Sequence, residues 1–144
     1  MLKKMLSILG LSKAEREEIR HDIDLFEAMR AHANWKKRLM DYIEGISSEN
    51  LEPHNISVDN KCVLGIWIHG RGKEHFGEYP LFQQLVEDHA KFHFQASKVV
   101  EAHLAGDDVL AQKILTESFI EQSRKTVNCL AKLNAEIEGE QPAA

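Results

Sequence analysis

Three apolar stripes that step by three and four residues constrain this chain more than any other feature. Leu25, Ala28, His32, Trp35, Leu39, Tyr42 and Ile46 form the first. Phe82, Leu85, His89, Phe92, Ala96, Val99 and His103 form the second, with Val86, His93 and Val100 beside it. Leu115, Phe119, Thr126, Leu130, Leu133 and Ile137 supply the third. An α-helix turns once in about 3.6 residues, so each stripe marks one face of a helix that needs burial against another. The short apolar run Cys62–Ile68 fits either a buried strand or a buried helix. Because no second strand candidate exists to pair with it, helix is the expectation.

The punctuation agrees with these stripes. Ser12 followed by Glu15 has capping-box spacing and marks a helix start, from which the first stripe runs on to Gly45 and Ser47-Ser48. Residues 47–61, with Pro53, Asn55 and Asp59-Asn60, read as a loop, and Gly70, Gly72 and Gly77 mark another. A helix is expected from about Tyr79 to Leu104, closed by Gly106, and a further one over about 108–138, capped by Asp107. The expected fold is all-α: an antiparallel four-helix bundle with one short helix carrying Cys62. The expected organisation is an amphipathic extension over 1–24, the bundle over 25–138 and a frayed tail over 139–144.

Composition narrows the function classes. A length of 144 residues suits one domain with its own core. The net charge of −5, without a long basic run, argues against wrapping nucleic acid. No apolar run reaches the roughly 18 residues of a membrane span. The segment from Met1 to Leu11 reads as a short amphipathic lead-in rather than a signal peptide, since Ser7 and Gly10 break its apolar stretch. Two cysteines make a disulfide framework a poor fit and suit a reducing cytoplasm.

Four residues are out of place in a purely structural core. His32, His89 and His93 lie on or beside apolar stripes, and Cys62 opens the short apolar segment. His89 and His93 are four apart, so their rings point from successive turns toward one spot. Three imidazoles and a thiolate make a closed four-coordinate set suited to zinc. Taken singly, each of these residues is equally well a hydrogen-bonded core histidine or a small buried hydrophobe. Residues alone therefore leave both readings open. Cys129 has no histidine at ligand spacing and reads as structural, and His21 and His54 read as exposed.

The ordered set His32-Ala33-Asn34-Trp35, Cys62-Val63-Leu64-Gly65-Ile66-Trp67 and His89-Ala90-Lys91-Phe92-His93 resembles the chemoreceptor zinc-binding (CZB) domain family. That family shows His-x-x-Trp, then Cys-x-x-Gly-x-Trp, then His-x-x-Phe-His, and the resemblance spans about residues 25–135. It implies a four-helix bundle with one short member and a zinc ion held by His32, Cys62, His89 and His93. It also implies a cytoplasmic, often homodimeric regulatory module, usually attached to chemoreceptor signalling or diguanylate cyclase domains. Such modules respond to zinc or to oxidants such as hypochlorous acid at the zinc-bound cysteine. This chain carries neither a cyclase domain nor a receptor coiled coil, so it is expected to act as a stand-alone CZB domain or an excised piece, with its output supplied by a partner.

Two rival classes stand beside this reading. One is a metal-dependent bundle enzyme with three His ligands and an open position, which requires Cys62 not to ligate. A His-Glu-x-x-His protease is excluded, because Ala90 stands where the general base is needed. A di-iron site needs further carboxylate ligands, and Glu87 is only two residues before His89. The other class is a metal-free helical adaptor.

Overall fold

The computed structural model describes residues 11–139, so the lead-in up to residue 10 and the tail beyond residue 139 lie outside the described residues. Helix α1 (Lys13–Asp22) starts on Ser12, whose Oγ accepts the Glu15 N–H at 3.1 Å while Glu15 Oε1 accepts the Ser12 N–H at 3.1 Å. Both halves of the capping box are present, which satisfies two donors that the first turn leaves without helical partners.

The helix that starts at Ser12 does not continue to Ile46. Ile23 and Asp24 are extended, and a new helix, α2 (Leu25–Ile43), begins with the Asp24 carboxylate accepting the Glu27 N–H at 3.1 Å. An aspartate so placed competes with the helix backbone for its own N–H groups, so it caps rather than continues. Gly45, at φ +78°, ends α2 one turn early and leaves Ile46 70% exposed. The sequence stripe overran the helix there.

Two short helices lie within stretches expected as loops: α3 (Pro53–Ser57), with proline in its first turn, and α5 (Arg71–Phe76). Glycine marked the second as irregular, but Gly72 is helical because it packs flat against Trp67. A Cβ there would come within 2.8 Å of the indole ring. Between them, α4 (Val63–His69) confirms the helical reading of the short apolar run.

The long helix α6 (Pro80–Leu104) turns through Gly106, at φ +80°, into a helix capped by the Asp107 side chain at 3.0 Å from the Leu110 N–H. That last helix has three parts: α7 (Asp108–Ile114), a π-turn over Leu115–Phe119, and α8 (Ile120–Glu138). The π-turn has a sequence cause. Ala111, Leu115, Phe119 and Ser123 are all buried and follow each other by four residues. Each four-residue step overshoots an α-turn by about 40°, so three in a row rotate the stripe away from the core unless the helix widens once.

The described residues form an all-α bundle. Helices α2 and α6 both pack on α8, α3 packs on α6, and α4 touches α2. The core divides into two apolar clusters. One gathers Ile19, Ala28, Leu64, Trp67, Leu85 and Leu130; the other gathers Leu39, Phe92, Ala96, Leu115 and Phe119. On α2, His32 falls between Ala28 and Leu39; on α6, His89 falls between Leu85 and Phe92. The histidines thus form a polar layer between two apolar ones. Among the described residues no helix is long and apolar enough to cross a membrane.

Candidate metal centre

Helix α2 contributes His32, α6 contributes His89 and His93 one turn apart, and the loop into α4 contributes Cys62. One donor atom from each lies within 4.8 Å of all the others. His93 Nε2 is 3.0 Å from His89 Nε2, which is 3.1 Å from His32 Nε2. Cys62 Sγ lies 3.4 Å from His89 Nε2 and 3.7 Å from His93 Nε2. All three histidines are buried and Cys62 is half-buried.

Hydrogen bonds decide which nitrogen faces inward. His32 Nδ1 is 2.7 Å from the Ala28 carbonyl, and His93 Nδ1 is 3.0 Å from the Ile56 carbonyl. A carbonyl oxygen only accepts, so each Nδ1 carries the proton and each Nε2 of the neutral ring offers a lone pair. Lone pairs crowded at about 3 Å repel unless a proton or cation sits among them. His89 Nδ1 is buried without a hydrogen-bond partner, and its nearest carboxylate is Asp59 Oδ2 at 3.9 Å, itself 3.2 Å from His69 Nε2.

A proton is a poor filler for this layer. Burial holds His32 down to about 4 despite the opposing Ala28 carbonyl. Burial, then the neighbouring His93 and His32, takes His89 down to about 2, and burial also lowers His93. Desolvation pushes the Cys62 thiol above its ordinary value, against the N–H groups of Gly65 and Leu64.

A divalent cation fits better. Tetrahedral zinc, with bonds of about 2.0–2.1 Å to nitrogen and about 2.3 Å to sulfur, sets nitrogens about 3.3–3.4 Å apart and nitrogen about 3.5–3.6 Å from sulfur. The separations of His89 from its three neighbours and of Cys62 from His93 scatter by a few tenths of an ångström around those edges, and the donor set of three neutral imidazoles and a thiolate is one zinc accepts. The cluster is compatible with zinc binding.

These shifts predict how the metal-free chain responds to acid. The unfolded histidines protonate near 6.5, the folded ones well below it. Below that pH the unfolded chain binds more protons, so stability is complete above about 6.5 and drains away as pH falls through about 4. The thermal midpoint of chelator-treated protein is expected to fall steadily from about pH 7 to about pH 4.5. A flat profile would contradict buried neutral histidines.

The Cys-x-x-Gly spacing has a mechanical reason. Cys62 is the N-cap of α4, and its Sγ accepts the Gly65 N–H at 3.3 Å. Gly65 also lies directly on the Asp59 carbonyl, where any Cβ would overlap it. The glycine lets the loop carrying Asp59 lie across α4, so that Cys62 faces His89 and His93. Trp67 then anchors α4 from inside, 5.9 Å from the Phe82 ring.

The remaining polar residues separate from this centre. His21 and His54 are exposed. Cys129 is buried beside the Leu81 carbonyl, with its thiol pushed up to about 11 by desolvation. Glu18 and His21 have the Glu-x-x-His spacing of di-iron sites, but both are exposed on α1 and Glu18 binds Arg71 at 2.7 Å. Asp59 was missed as a neighbour of the site. It lies in a loop, where periodicity says nothing of direction, and its position three residues before Cys62 was the one available signal.

No curated protein and no solved structure matches the chain. The family model of the chemoreceptor zinc-binding domain matches residues 32–100, a segment that begins at His32 and holds all four clustered residues. The His-x-x-Trp, Cys-x-x-Gly-x-Trp and His-x-x-Phe-His elements, their convergence in one buried layer and this match agree: residues 32–100 match the chemoreceptor zinc-binding domain family.

Proposed function

We propose that this protein is a regulatory zinc-binding module in which His32, Cys62, His89 and His93 hold one zinc ion, with residues 25–138 as the working unit. The observation that carries this reading is the convergence of four donor atoms, two of them, His32 Nε2 and His93 Nε2, with lone pairs set inward by the ring's other hydrogen bond. When bound, zinc keeps the thiolate deprotonated and ties together the helices that supply its ligands.

The chain's own residues set the rest. The Ala28 and Ile56 carbonyls orient His32 and His93, and Asp59 is placed to receive the His89 Nδ1 proton if the ring shifts toward it. Cys62 is the one donor on a short element, so α4 is the part free to move when its sulfur changes. With hypochlorous acid as oxidant, the Cys62 thiolate attacks the electrophilic chlorine and hydroxide leaves; water then displaces chloride from the sulfenyl chloride, giving a sulfenic acid and a proton. Sulfur is oxidised and chlorine reduced. A sulfenic acid is a weaker donor than a thiolate, which releases α4 from the histidine layer. A binding role is favoured over catalysis because the fourth donor is a thiolate, leaving no open position for substrate. The output passes to a signalling partner of the chemoreceptor or cyclase kind, in the cytoplasm, through a homodimer.

Elemental mass spectrometry of purified protein tests the central claim. One zinc per chain is expected, and Cys62→Ala should hold zinc at least about 100-fold more weakly, beyond the range typical for outer-sphere substitutions. Equal affinity in the variant would instead favour an open three-histidine site. No zinc in either protein, even after supply, would leave a metal-free adaptor.

A further inference from the structure

A cavity of about 420 Å³ opens from solvent onto the histidine layer, and Cys62, His32 and His93 form part of its lining. Its walls are apolar: Ala28, Ala31, Trp35, Val63 and Leu64. At its mouth the Arg38 guanidinium stacks over Trp35, 3.7 Å from the ring centroid, and is held there by both oxygens of Glu49. Glu27, also on the rim, binds Arg30 at 2.9 Å, while Asp24 adds a further negative charge.

We propose that this cavity is the reagent channel of Cys62 and that it admits small uncharged electrophiles and oxidants while turning anions away. The inference deepens the function proposed above and rests on Cys62 being its reporting group. Three features carry it. Half-buried Cys62 is reached from this side, whereas His89, which is not part of the lining, is wholly buried. The walls give an entering ion little to replace its hydration, which makes ion entry costly and neutral entry cheap. The Arg38 charge, the one rim group that could draw an anion in, is bound by Glu49 and spent on the Trp35 face. A volume of this order holds a molecule of several heavy atoms, not a peptide chain.

The test is alkylation of the zinc-loaded full chain, read at Cys62 by peptide mass spectrometry. Iodoacetamide is neutral and iodoacetate is its anionic counterpart. In both, the Cys62 sulfur attacks the methylene carbon, the carbon–iodine bond breaks and iodide leaves. Each rate is divided by that of the same reagent with a free thiol. Cys62 is expected to favour iodoacetamide by about tenfold after this correction, as a modest ion-entry cost implies. Ala31→Phe, which adds bulk to the cavity lining at an exposed position that supplies no donor atom, should slow iodoacetamide by about tenfold while zinc content stays at one per chain. Equal corrected rates overturn the channel, as does an Ala31→Phe protein that folds and reacts like wild type. If Ala31→Phe does not fold, the reagent comparison on the wild-type chain decides alone. Reagent preference in a chain that holds no zinc would keep the channel and overturn the metal reading. Zinc at one per chain with equal corrected rates would do the reverse.

Discussion

Stripping zinc is expected to lower the thermal midpoint by about 10 °C or more. A ligand that binds only the folded chain stabilises it by about 4 kcal/mol when its free concentration exceeds the dissociation constant a thousandfold. For a chain of this length each kcal/mol moves the midpoint by about 2–4 °C. The linkage is direct here because the donors come from α2, α6 and the loop into α4, so unfolding must dismantle the site. Calorimetry with and without a chelator measures the shift. His89→Gln, which removes the donor adjoining each of the others, should melt at one temperature in both conditions. A wild-type midpoint indifferent to chelation would mean that no metal is tied to the fold.

Gly65→Ala is the second change with a large expected effect, although it adds a single methyl to a residue that is not a donor. The new Cβ would overlap the Asp59 carbonyl, which is backbone and has no rotamer to give. Either the loop lifts or α4 shifts, and both move Cys62 from His89 and His93. Overpacking of this kind costs about 1–3 kcal/mol. Zinc affinity should fall with stability, because the methyl acts on the segment that presents the sulfur. Ile66→Ala is the control: the neighbouring side chain is 61% exposed, and its loss should leave melting and zinc affinity near wild type. Chelator competition and thermal melts on both variants measure the difference. Wild-type zinc affinity in Gly65→Ala would show that the close approach of Gly65 and Asp59 does not set the site.

These two predictions draw on different levels of information. His32, His89 and His93 were legible because each lies on or beside a periodic apolar stripe, and periodicity reports which side chains share a face; Cys62 stood out only as the residue that opens the short apolar run. The i,i+4 spacing of His89 and His93 places their rings on successive turns, and the structure holds their Nε2 atoms 3.0 Å apart. The helical character of Cys62–Ile68 followed from the lack of any strand to pair with it, and α4 bears that out. The family resemblance, carried by three short elements in order, agrees with the match over residues 32–100.

What periodicity overstated was continuity. It ran one helix from Ser12 through Ile46, where the chain breaks at Asp24 and stops at Gly45. It treated Gly72 as a loop marker, where the residue is helical against Trp67. It also skipped from Phe119 to Thr126, passing over buried Ser123, because three successive four-residue steps fit the core only when a π-turn takes up the extra rotation. In each case the local pattern was consistent with more than one backbone path, and packing against a neighbouring element chose between them.

The sequence by itself determined that the chain forms helices, which faces they bury and which three histidines lie on those faces, because these are local consequences of a 3.6-residue repeat. Only the tertiary structure decided that His32 meets His89 across 57 residues, that Cys62 reaches them through a loop lying on Gly65, that His89 Nδ1 is left facing Asp59, and that an apolar cavity leads to the sulfur. Those are distances between segments remote in the chain. They depend on how helices cross and where loops lie, and no periodicity within one segment encodes them.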